Sequence, residues 1–115
     1  MPDTDIDLIQ QLRAVVSATT AKERSSGKLF HNAIEHALKI KGWKTVREFS
    51  VDDRGDGVAG RIDLVVTSPA SIGIELDHAS TRKKSLYKLS RFKGAGVVVL
   101  RKTCQILLVR PISKG

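Results

Sequence analysis

Cysteine is nearly absent. Cys104 stands alone among 115 residues, which excludes an intrachain disulfide, a secreted disulfide scaffold and a cysteine-rich zinc site. A reducing, intracellular setting is expected, in the cytoplasm. Aromatic residues are scarce as well, with one Trp, one Tyr and three Phe. Trp43 and Tyr87 are isolated, too few for a base-stacking platform, and Trp43 reads as core. Long apolar runs are missing: residues 96–100 and 106–109 fall far short of the ~20 that span a bilayer. No membrane partner is expected. The acidic start, with Asp3, Asp5 and Asp7, lacks the basic and apolar regions of a signal peptide, so export is not expected either. There is no Gly-rich phosphate loop ending in Lys-Ser/Thr, which leaves nucleotide hydrolysis without support. His31 and His36 are five apart, where a helical His-Glu-x-x-His zinc motif needs four.

The most informative absence is of acid in the last third. The chain carries 20 Lys and Arg against 12 Asp and Glu, a net charge of +8. Residues 1–77 hold 10 basic and 12 acidic side chains, whereas residues 78–115 hold 10 basic and no acidic ones. Blocks of one sign repel themselves unless an anion compensates them, so a polyanionic partner is expected.

Hydrophobic period orders the chain as one domain over residues 1–115, without repeats or linkers. Ile6, Ile9, Leu12 and Val16 predict an amphipathic helix over residues 5–19, so that 1–24 forms an N-terminal helical extension free to pair with a second copy. A second helix is predicted over 26–41, with Phe30, Ile34, Ala37 and Leu38 as its stripe and Gly42 as its stop. Alternation then predicts strands over 44–51, 59–67 and 71–77, separated by turns at 52–57 and 68–70. Residues 52–57 superficially resemble a calcium loop but read as a hairpin turn. A helix is predicted over 80–92, capped by Ser80 or Thr81 and ended by Gly94-Ala95-Gly96, and strands over 97–101 and 105–110 follow. The order α-α-β-β-β-α-β-β gives an α/β or α+β fold, a central mixed sheet of about five strands flanked by helices.

Acids interrupt two strongly β-forming stretches, Ile62-Asp63-Leu64-Val65-Val66 and Ile72-Gly73-Ile74-Glu75-Leu76-Asp77. Side chains alternate along a strand, so a hairpin can bring Asp63, Glu75 and Asp77 to one face. Crowded carboxylates then require either raised pKa values or a bound divalent cation, and hard oxygen ligands select Mg²⁺ or Mn²⁺. The other reading is a solvated sheet face on which these acids pair with Arg61, Lys83 or Lys84.

At these residues the chain resembles the PD-(D/E)XK nuclease superfamily, the fold of many restriction endonucleases and Holliday-junction resolvases. The family pattern is a helix bearing Glu, a three-stranded meander carrying Asp and then Glu-x-Lys, and a further helix and strand. Glu35, Asp63 and Glu75 occupy those acidic positions over residues 26–110. The resemblance implies a restriction-endonuclease-like core and a Mg²⁺-dependent DNA endonuclease, structure-directed or weakly sequence-specific, of phage, mobile-element, DNA-repair or recombination type. Asp63, Glu75 and Asp77 would bind the metal with help from the Leu76 carbonyl, Asp77 alternatively acting as base. Glu35 would reach the metal through water or close a second metal site; the competing reading, from helical spacing, is a surface pair with Lys39 or Lys28.

The sequence departs from the family at position 77, where Asp replaces the expected Lys. A lysine from the following helix would then complete the catalytic set Glu35, Asp63, Glu75 and Asp77, and Lys84 is the candidate. Arg82, Lys83, Lys84, Lys88 and Arg91 are the candidate DNA-backbone contacts. Duplex or branched DNA is the expected partner, and a homodimer the expected assembly. The alternative is a catalytically degenerate nucleic-acid-binding protein that keeps the fold.

Overall fold

The computed structural model describes residues 5–51 and 60–110. Helix α1 (Asp5–Ser17) is amphipathic as expected, with Leu8, Leu12, Val15 and Val16 buried on one face. Helix α2 (Gly27–Ile40) starts at Ser26, whose hydroxyl accepts from the Leu29 N–H at 3.1 Å, and buries Phe30, Ile34 and Leu38. Its end is built by Gly42, whose φ of 89° suits glycine and few other residues. The Gly42 N–H donates to the Lys39 carbonyl and that of Trp43 to the Leu38 carbonyl, a paired stop that folds Trp43 back against the helix it follows. Between the helices, Thr20 and Glu23 exchange side-chain and backbone hydrogen bonds across a 3₁₀ turn at Glu23–Ser25.

Five strands follow: β1 (Lys44–Val51), β2 (Gly60–Ser68), β3 (Ile72–Asp77), β4 (Ala95–Leu100) and β5 (Gln105–Arg110). They lie in chain order across one sheet, antiparallel except for β3 and β4, which are parallel and joined through α3 (Lys83–Ser90). The α+β class, the mixed five-stranded sheet and the order of elements therefore match the pattern read from hydrophobic period. Helices α1 and α2 pack on one face around Leu64, Val66, Ile72, Ile74, Val97 and Val99. On the other side Leu89 and Phe92 close a second core over Val65, Val98 and Leu100. Strand β4, covered on both faces, reads as a continuous apolar run for that reason, and β3 does so only as far as Glu75.

Three boundaries or roles differ from expectation. Helix α3 begins at Lys83, and neither Ser80 nor Thr81 caps it; the acceptor for its first turn comes from β3, as described below. Strand β4 begins at Ala95, because Gly96 is a strand residue over which Leu89 packs closely. A Cβ at Gly96 would sit 3.1 Å from Leu89 Cβ. The apolar face of α1 is consumed by the chain's own core, so that face is not free for a second copy. The turn expected at 52–57 lies outside the described residues. No described helix is long and apolar enough to cross a membrane.

Candidate active site

Strands β2 and β3 are paired only at Leu64–Ile74, Val65–Gly73 and Val66–Ile72. Beyond Leu64 they part, and two carboxylates take over the ladder. Glu75 Oε2 accepts the Asp63 backbone N–H at 2.8 Å, and Asp63 Oδ2 accepts the Leu76 N–H at 2.9 Å. This reciprocal exchange fixes both side chains relative to the backbone and commits one oxygen of each, which explains why acids interrupt otherwise apolar strands.

Glu75 is fully buried, at 0% exposure. Burial pushes its carboxyl above the ordinary value and the Asp63 charge pushes the same way; Lys88 and the Asp63 N–H pull it back without cancelling the rise. The second oxygen, Oε1, lies 2.6 Å from Lys88 Nζ in an ion pair, yet it has no hydrogen bond of good geometry. Lys88 also donates to the Arg61 carbonyl at 2.9 Å, and its side chain is only 12% exposed. It comes from α3, which runs down β3 with Ser85 at Asp77, Lys88 at Glu75, and Leu89 and Phe92 at Gly73.

That descent separates the sequence candidates. Asp63 and Glu75 meet as expected. Asp77, 3% exposed, turns to α3: it accepts from the Arg82 N–H at 3.1 Å, Arg82 Nε at 2.9 Å and the Ser85 hydroxyl at 2.9 and 3.0 Å. Its charge tethers the first turn of the helix, and among the described residues no group of three or more His, Cys, Asp or Glu is placed to hold a metal. Glu35 is not joined to the pair either. It lies 3.2 Å from Arg47 Nε and 3.7 Å from Lys39 Nζ. The lysine that reaches Glu75 is Lys88, whereas Lys84 is exposed one turn earlier on α3. Arg82, Lys83 and Arg91 are exposed too, so four of the five expected backbone contacts face solvent and the fifth, Lys88, is inside.

Asp63 opens into a cleft of about 440 Å³ that is also lined by Gly27, Lys28, His31, Arg47, Leu76 and Arg82. From the sequence, Lys28 stands out only as a surface partner for Glu35 and His31 only as half of an excluded zinc pair, and Arg47 not at all. The signal for Arg47 was present, since the expected β1–β2 hairpin sets it opposite Leu64, beside Asp63.

Comparison of the chain with protein-family models, with curated proteins and with solved structures finds no match.

Proposed function

We propose that the chain is a Mg²⁺- or Mn²⁺-dependent DNA endonuclease of the PD-(D/E)XK type, with Asp63 and Glu75 as the metal-holding pair and Lys88 as its lysine. The observation that carries this reading is the exchange between Asp63 and Glu75 where β2 and β3 part, with Lys88 at 2.6 Å from Glu75. A purely structural hairpin would keep its ladder and an apolar core; burying a carboxylate without full compensation is costly. The residues fit a divalent cation. Both are hard oxygen donors, and each keeps an oxygen outside the backbone exchange, that of Glu75 facing Lys88 at 2.6 Å.

When bound, such a cation lowers the pKa of a water and polarises a phosphate oxygen. Asp63 and Glu75 would hold it, and their tie to the backbone limits the reorganisation this requires. Lys88 would move its ammonium from Glu75 toward the phosphate and offset charge that develops there. Asp77, through Ser85 and Arg82, holds α3 so that Lys88 stays over the site. The exposed cations Arg82, Lys83, Lys84 and Arg91 would grip the DNA backbone, contacts that position a duplex or branched substrate without reading its sequence. The lone cysteine favours a cytoplasmic, reducing setting. A homodimer would have to use a surface other than the buried face of α1.

Mn²⁺ titration followed by electron paramagnetic resonance tests the metal assignment apart from the chemistry. One bound ion in the wild type, lost in Asp63→Asn and kept in Asp77→Asn, is the expected result. Equal binding in Asp63→Asn would refute the assignment. DNA binding without any cleavage would leave the degenerate nucleic-acid-binding protein as the better reading.

A further inference from the structure

Arg47 is held unusually firmly for an edge-strand residue whose side chain is 47% exposed. Its Nε donates to His31 Nε2 at 3.2 Å and lies 3.2 Å from Glu35 Oε1, while Nη2 donates to Asn32 Oδ1 at 2.7 Å. His31, Asn32 and Glu35 stand on adjacent turns of α2, and the Glu35 side chain is 13% exposed. An exposed ion pair contributes little to stability, so three anchors on one arginine are more than the fold requires. A guanidinium has five N–H donors in a rigid fork; these contacts engage Nε and Nη2, and Nη1 takes no part in them.

The same cleft holds Asp63 with Lys28, Arg47 and Arg82. A single carboxylate thus shares the space with three cations. A strand of nucleic acid that brings one phosphate to Asp63 carries its next phosphate within a nucleotide's length, and a preset guanidinium fork suits such a group.

We propose that Arg47, preset by Glu35, His31 and Asn32, binds the backbone phosphate next to the one at Asp63 and Glu75, and that Glu35 is a positioning residue acting through Arg47. This rests on the nucleic-acid reading of the cleft. It gives Glu35 a role different from the metal contact that the family resemblance implied.

The test is binding of a fluorescent 20-base-pair duplex in EDTA across a salt series, with thermal melts of every variant. Arg47→Ala is expected to weaken binding about tenfold and to lower the slope of log affinity against log salt by about one. Arg47→Lys keeps the charge and the slope but recovers only part of the affinity. Glu35→Gln gives the most telling sign. Removing a negative charge should tighten DNA binding on charge alone, whereas loss of the Arg47 anchor weakens it, by about threefold. Asn32→Ala, on the exposed side of α2, is expected to shift affinity in the same direction and serves if Glu35→Gln melts early. Tighter binding by Glu35→Gln, unchanged binding by Arg47→Ala, or no DNA binding by the wild type would overturn the assignment. Absence of cleavage in Mg²⁺ with these binding shifts intact would sink the endonuclease reading and leave the Arg47 assignment standing.

Discussion

Position 77 carries an acid where the resembled motif carries a lysine, and Lys88 of α3 stands 2.6 Å from Glu75 instead. Lys88→Met is therefore expected to lower the cleavage rate by about a hundredfold or more, the scale on which loss of one charge-stabilising group acts. Lys84→Ala should stay within a few-fold. Single-turnover rates on a saturating duplex distinguish the two. The state of Glu75 leads to a second expectation, about pH. Its folded carboxyl titrates above the ordinary value near 4.5. Between those values the folded chain holds the proton more often than the unfolded chain, so stability present at lower pH is lost as pH rises through the folded value. Glu75→Gln has no such loss. The melting temperature of that variant minus that of the wild type should increase from about pH 4 to about pH 8, and a flat or falling difference would contradict the raised carboxyl. Asp63 and Glu75 were legible in the sequence because acid in an apolar strand is conspicuous. Lys88 looked like any surface cation: its place depends on how α3 lies on the sheet, which no local pattern encodes.

Elements met their expected order because hydrophobic period and the Gly42 stop are local signals, and most expected boundaries fall within a residue or two. Where the reading failed, the deciding contact was distant in sequence. Ser80 and Thr81 are good capping residues by composition, but the first turn of α3 is tethered by Asp77 from the strand it crosses. Gly94-Ala95-Gly96 looked like a helix stop, whereas Gly96 is a strand glycine that permits close approach of Leu89. The helical period of α1 was right at Leu12 and Val16, while Leu8 and Val15 complete its buried face with Ile9 only partly covered, and the surface it covers belongs to the same chain. These contacts fix the height of α3 over β3. Gly96→Val is expected to cost about 1–3 kcal/mol by overpacking and to slow cleavage beyond that by lifting Lys88 from Glu75. Urea denaturation and single-turnover rates measure the two effects, and full cleavage in a destabilised Gly96→Val would show that Lys88 need not be held at that height.

For the whole molecule, the net charge of +8 conceals a division between acids placed before residue 78 and a strongly basic remainder. The fold gives that division a shape. Asp63 and Glu75 lie together where β2 and β3 part, Lys88 pairs with Glu75, and Arg82, at the start of α3, lines the cleft of Asp63 together with Lys28 and Arg47. Cleavage of a labelled DNA set, duplex and four-way junction, by the wild type and by Asp63→Asn, in Mg²⁺ and in EDTA, tests this directly. Metal-dependent cutting by the wild type, absent in EDTA and reduced at least about a hundredfold in Asp63→Asn, is the expected result. No cutting by the wild type with Mg²⁺ or Mn²⁺, or equal cutting by Asp63→Asn, would contradict it.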